Sequence, residues 1–275
     1  MPGTNSKRLV IHADDFGFTP AVTRGIIEAA DAGAVSSTSV MIGTPGWPDA
    51  ESHLRAGTPL DVGLHFNLLI GHPLTTGRTL TDRRTGAFVS LGTLVRRALT
   101  GRLDPTEVAA ECQAQLDALR STGVAVTHID SHRHTHPLPG IWRPVHEVAR
   151  RAGIRFVRVP SEPWRATGWL RGQANRIAVS ASTWRPGVQP AARFTGLTLT
   201  GAYDFEHGVL RTLDRLDPGL TELMVHPGYS DQALTAIDSY TWQREVELAA
   251  LRGPAIRARL ARGDIVLATF REAGA

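Results

Sequence analysis

Two adjacent carboxylates, Asp14 and Asp15, close the apolar run at residues 8–13, and a second apolar run at 124–129 leads into Asp130-Ser131-His132-Arg133-His134-Thr135-His136. Four of the ten residues from Thr127 to His136 are histidine, and imidazoles gathered at that density bind a metal ion or work beside one. On an extended chain, side chains two apart share a face, so His132, His134 and His136 are expected to point one way. His65 and His226 also follow apolar runs. Neutral imidazoles plus one carboxylate, with an open position for water, make a hydrolytic metal site, and Asp15, His65 and His132 fit that set. A bound ion lowers the pKa of its water and polarises a carbonyl. Asp14 then suits the general base, and His226 the group that protonates a leaving amine or hydroxyl. Plainer roles stay open: the aspartates can serve as a helix cap and its solvated neighbour, although Thr19 already suits the cap, and His226 can cap a turn fixed by Pro227.

Positioning these residues requires elements that end near one another. Strands are expected at residues 8–13, 36–42, 61–68, 124–129, 155–159, 197–200, 221–225 and 264–270. Helices are expected from Pro20 until Gly33 stops the run, from Gly46-Trp47-Pro48 to about Ala56, and from Asp104-Pro105 to about Ser121, each opened by a proline or a capping side chain. Further helical patterns cover 91–99, 139–152, 205–216 and 240–262. Alternation of this kind gives a parallel α/β sheet, and the number of units favours a closed or nearly closed (β/α) barrel over an open doubly wound sheet. In such folds the site lies beyond the carboxyl ends of the strands. Asp14-Asp15, His65, Asp130-His132 and His226 all fall there.

At 275 residues and 42% hydrophobic composition, the chain can bury a full core, and one domain over 1–275 is expected, with loop insertions at 69–103 and 160–195. The formal charge of +4 arises almost wholly from arginine, Lys7 being the only lysine, and the arginines form no long basic tract. A nucleic-acid partner is therefore not expected. Cys112 is the single cysteine, which excludes an intrachain disulfide and a thiolate metal cluster and marks it as a core residue. The segment before the first strand is too short and polar for a signal peptide, and no apolar run approaches the ~20 residues of a membrane span. The expected protein is cytoplasmic and acts on a small molecule; homo-oligomerisation is left open.

The motifs Ala13-Asp14-Asp15-Phe16-Gly17, Gly63-Leu64-His65, Asp130-Ser131-His132-Arg133-His134-Thr135-His136 and His226-Pro227-Gly228 together resemble the YdjC family of carbohydrate deacetylases, which includes chitooligosaccharide deacetylases. The resemblance spans nearly the whole chain. It implies a distorted (β/α) barrel with mostly parallel strands, one divalent metal ion, and removal of N-acetyl groups from an amino sugar or oligosaccharide. By matching motif it implies Asp15, His65 and His132 as metal ligands, Asp14 as base and His226 as acid. The ligand set suits zinc, with magnesium, manganese or cobalt also open. His12 stands where a small polar residue or asparagine is expected, and Arg133 occupies a variable position.

Asp130, His134 and His136 are candidates to orient the ligands or to contact sugar. Arg158 is a candidate to sit beside Asp14 or to hold a substrate oxygen, with a surface ion pair as its alternative. Trp164, Trp169 and Trp184 are candidates for stacking on sugar faces, against a plainer role as loop anchors. Two other readings remain: another barrel metallohydrolase such as a phosphoesterase, which would call for more carboxylate ligands or a two-metal set, and a non-catalytic metal- or sugar-binding relative, which would have no need of Asp14.

Overall fold

The computed structural model describes residues 6–162, 189, 190 and 192–274; Trp164, Trp169 and Trp184 lie outside them. In chain order the strands are β1 (Lys7–Phe16), β2 (Ser37–Val40), β3 (Asp61–Phe66), β4 (Val126–Ser131), β5 (Phe156–Val157), β6 (Gln189–Pro190), β7 (Arg193–Thr195), β8 (Gly219–Val225) and β9 (Ile265–Leu267). They pair in parallel in the order β6-β5-β4-β3-β2-β1-β8-β7, and β9 lies against the first residues of β1. No pairing joins β6 to β7 among the described residues. Among the described residues the sheet is thus a distorted (β/α) barrel, open between β6 and β7.

The helices are α1 (Pro20–Asp31), α2 (Trp47–Ala56), α3 (Leu91–Leu99), α4 (Pro105–Arg120), α5 (Trp142–Arg151), α6 (Phe205–Asp214), α7 (Gln232–Ile237), α8 (Trp242–Arg252), α9 (Pro254–Leu260) and α10 (Phe270–Gly274). Their starts follow from capping chemistry: Thr19 and Asp104 accept backbone N–H bonds from the first turns of α1 and α4, each with proline at the first helical position. No helix among the described residues is long and apolar enough to cross a membrane.

β1 shows how the barrel is filled. Leu9, Ile11 and Ala13 join the large core shared with the helices, while Val10 belongs to a small inner cluster with Phe156, Ala268 and Phe270. Alternation puts His12 and Asp14 on the Val10 side. The barrel interior therefore holds little apolar volume and several polar groups. Gly63 on β3 makes room for one of them: a Cβ there would lie 2.2 Å from Nε2 of the buried His128.

Three expected elements differ. Residues 197–200 form a turn, and the strand lies earlier, at Arg193–Thr195; Gly196 bends the chain at φ 122°, and the Glu162 carboxylate accepts the N–H groups of Gly196, Leu197 and Thr198. The helix expected over 240–262 divides at Gly253-Pro254 into α8 and α9, because proline has no N–H to continue the ladder and readily starts a new helix. The last strand stops at Leu267, and the chain turns into α10 where Asp61 accepts the Phe270 N–H at 2.8 Å. The expected insertion at 69–103 is held against α4 by Glu107, Glu111 and Gln115, which bond backbone groups between Asn67 and Thr79.

Candidate functional site

Adjacent residues on a regular strand face opposite ways, yet Asp14 and Asp15 both reach the mouth of the barrel. The cause is a break in register: Ala13 pairs with Thr38 and Phe16 with Val40, so β1 spends an extra residue there, and Asp15 takes φ 73°. A bulge of this kind redirects a side chain, and a non-glycine residue in the left-handed region is a strained conformation typical of functional sites.

Asp15 Oδ1 lies 3.1 Å from His65 Nε2 and 2.9 Å from His132 Nδ1. One donor atom from each of the three residues falls within 4.8 Å of the others, and all three side chains are buried. Strand register places the next partner: His65 sits opposite Asp130 across β3 and β4, and its Nδ1 lies 2.7 Å from Asp130 Oδ1. Burial alone would lower the His65 pKa, but Asp130 outweighs it and, with Asp15 and Asp14, raises it to about 10. The site attracts positive charge at this point.

The three alternating histidines of the motif do not share a face. β4 ends at Ser131, and His132–His134 form a tight 3-10 turn with Arg133 at φ 53° and His134 at φ 50°. Only His132 joins Asp15 and His65. His134 lies edge-on to Phe194 at 5.8 Å, and burial lowers its pKa to about 3. His136 is a structural strut: its Nε2 donates to the Arg158 carbonyl at 2.7 Å, and its Nδ1 accepts from Ser131 Oγ at 2.5 Å. Burial lowers its pKa to about 4, which matches a neutral ring with one donor and one acceptor.

Asp14 has a different partner. Both its oxygens receive Arg158, at 2.7 and 2.6 Å, and the same buried guanidinium reaches Asp130 at 2.8 Å and Glu222 at 2.7 Å. Each nitrogen of Arg158 donates to a protein carboxylate, which places it beside Asp14 as one of its readings expected, and its burial excludes the surface ion pair. Burial favours the neutral acid at Asp14, but Arg158 overcomes it and holds the pKa below the usual value. At Glu222, burial wins over Arg158 and the pKa rises. His12 is fully buried with Nδ1 3.0 Å from Ser37 Oγ and Nε2 3.1 Å from Ser39 Oγ, and it lies 3.3 Å from Asp14. The departure noted at this position is part of the network.

His226, at the end of β8, approaches from the other side, with Nε2 3.9 Å from Asp14 Oδ2 and the side chain 15% exposed. Burial lowers its pKa against the pull of Asp14, which makes the imidazolium a stronger proton donor. Behind it, Glu247 on α8 accepts the His226 backbone N–H at 2.6 Å and the Tyr240 hydroxyl. Burial raises the Glu247 pKa to about 7. Arg244, also on α8, donates Nη2 to Asp15 Oδ2 at 2.7 Å and Nε to the Tyr240 carbonyl at 2.9 Å. Burial favours the acid at Asp15, but Arg244 and then His132 overcome it and hold the pKa well below the usual range.

Glu222, Arg244, Glu247 and Tyr240 escaped the sequence reading. A charge inside Thr221-Glu222-Leu223-Met224-Val225 was a usable signal, since a lone carboxylate in a buried strand needs a partner. The residues on and before α8 gave none, because an Arg and a Glu three apart read as an ordinary solvated helix face.

Fold and site together define a parallel (β/α) barrel protein with an aspartate-histidine centre at the carboxyl ends of its strands. The chain belongs to the YdjC-like protein family, whose model matches residues 8–262. Human carbohydrate deacetylase is 33% identical to it over 290 residues, covering 94% of this chain and 89% of that protein. The chitooligosaccharide deacetylase of Yersinia pestis (strain Pestoides F) is 34% identical over 270 residues, covering 96% and 98%. A solved structure from Enterococcus faecalis V583, named for a suspected role in cellobiose-phosphate cleavage, superposes with a TM-score of 0.79 at 24% identity, covering 98% of this chain and 99% of that one. That likeness supports the fold alone.

Proposed function

We propose that this chain is a metal-dependent hydrolase that removes N-acetyl groups from an amino sugar or oligosaccharide. The observation that carries the reading is the convergence of Asp15, His65 and His132 from three strand ends, next to a second carboxylate, in a chain whose relatives are named carbohydrate deacetylases. The residues fit a divalent ion. His132 Nε2 is buried without a partner, and four buried carboxylates, Asp14, Asp15, Asp130 and Glu222, share two guanidiniums, Arg158 and Arg244, their other ionisable neighbours among the described residues being the imidazoles of His12, His65, His132 and His226. Uncompensated buried negative charge is costly unless a cation joins it.

Asp15, His65 and His132 would hold the ion, with Asp130 fixing the His65 ring through Nδ1. When bound, such an ion makes water acidic and polarises the amide carbonyl. Asp14, kept ionised by Arg158, takes the proton of the attacking water. His226 delivers a proton to the amide nitrogen, so the C–N bond breaks to leave a free amine on the sugar and acetate. Two neutral imidazoles with one carboxylate suit zinc better than magnesium, which prefers oxygen donors.

The phosphoesterase alternative calls for a second ion. Asp14, Asp130 and Glu222 could have supplied its carboxylates, but the Arg158 guanidinium sits among them at 2.6, 2.8 and 2.7 Å. Acetate release from a panel of N-acetylated amino sugars, with and without chelator and beside phosphate release from sugar phosphates, tests the reading. Acetate release abolished by chelator and restored by zinc supports it; phosphate release alone, or chelator-resistant activity, overturns it.

A further inference from the structure

Beside the His226 wall of the site, two aromatic rings stand in solvent and stack on each other. Tyr203 is 84% exposed and Trp242 42%, with ring centroids 5.0 Å apart and planes 30° from parallel. Aromatic surface left in water and clustered, not scattered, marks a place where something binds. Its location is fixed by hydrogen bonds that lead back into the site. Tyr203 follows Gly201 by two residues and Trp242 follows Tyr240 by two, and the Gly201 N–H donates to the Tyr240 hydroxyl at 2.9 Å. That hydroxyl donates to Glu247, which accepts the His226 N–H at 2.6 Å, and the Tyr240 ring lies edge-on to His226 at 5.4 Å. The two rings are therefore mounted on the same struts that hold His226.

We infer that Tyr203 and Trp242 form a stacking platform for a further sugar ring of an oligosaccharide whose N-acetylated unit lies at Asp14 and His226; this rests on the deacetylase reading above. The apolar C–H face of a pyranose packs on an aromatic face, while its hydroxyl edges stay in water, so a half-exposed stacked pair suits it. Asp204 and Glu206, both exposed, follow Tyr203; Arg211 comes within 3.9 Å of Asp204 and offsets part of its charge, and the repulsion that remains works against nucleic acid or another polyanion. A neutral or amine-bearing glycan meets no such repulsion.

The test compares kcat/KM for acetate release from N-acetylglucosamine monomer, dimer and tetramer in the metal-loaded wild type, Trp242→Ala, Tyr203→Ala and Trp242→Phe. Trp242→Ala is expected to lower kcat/KM on the tetramer about tenfold, chiefly through KM, with the monomer within about twofold of wild type and Trp242→Phe close to wild type. An equal loss at every length, no loss at any length, or a change only in oligomeric state overturns the platform. Titration of the same sugars into Asp14→Asn by calorimetry separates the two readings. Should no sugar release acetate, the deacetylase reading fails by itself. Binding that tightens with length and is weakened by Trp242→Ala still supports the platform, and length-independent or absent binding overturns it.

Discussion

Asp14 and Asp15 are neighbours in the chain with the same side chain, yet the fold gives them opposite surroundings. Arg158 takes both oxygens of Asp14, whereas Arg244 takes only Oδ2 of Asp15 and leaves Oδ1 facing His65 and His132. One carboxylate thus has both oxygens on a protein cation, and the other has one oxygen on a cation and one beside two imidazoles. Under the proposed function, partners and not residue type would divide the labour between a base and a ligand.

The largest effect that sharpens this comparison is expected from Asp15→Asn. Metal content of the purified protein should fall to background and acetate release with it, as should happen with His65→Ala or His132→Ala. Asp14→Asn should keep the metal and lose turnover by on the order of 10²–10⁴-fold. If metal analysis shows loss in Asp14→Asn and retention in Asp15→Asn, the two roles are reversed.

The arginines test the same contrast from the other side. Arg158→Met leaves Asp14, Asp130 and Glu222 buried without their shared cation, so it should cost about 3–5 kcal/mol of stability, read as a lower urea midpoint. Arg244→Met leaves Asp15 without its anchor, and metal affinity should weaken about 10–100-fold in a competition titration against a chromophoric chelator.

A smaller effect is expected from Glu247. Its folded pKa of about 7 lies above the ordinary carboxylate value, so the folded state holds this proton more tightly than the unfolded state does. The associated stability is fully present below the unfolded pKa, near 4.5, and is lost as pH rises through about 7. Denaturation midpoints of the wild type between pH 5 and pH 8 should contain that decline, and Glu247→Gln should remove it. A profile unchanged by the substitution would show that Glu247 does not carry the proton.

Much of the fold was legible because it rests on short-range signals. Thr19-Pro20 and Asp104-Pro105 announce helix starts, and the apolar runs ending in Asp14, His65 and Asp130 announce buried parallel strands with polar tips. The errors fell where a local feature overruled the pattern. Gly196 moved a strand to Arg193–Thr195, Gly253-Pro254 split a helix, and the left-handed turn at Arg133 and His134 scattered three histidines that an extended chain would have aligned.

The sequence by itself determined which side chains stand at the carboxyl ends of the strands, because hydrophobic periodicity fixes where a strand stops and parallel topology fixes which ends meet. Tertiary structure alone decided how they are used. Which aspartate meets which arginine, and that Arg244 and Glu247 join the site at all, depend on a one-residue bulge in β1 and on the face α8 presents to the barrel. Both are long-range packing outcomes, and the chain carries no local mark of either.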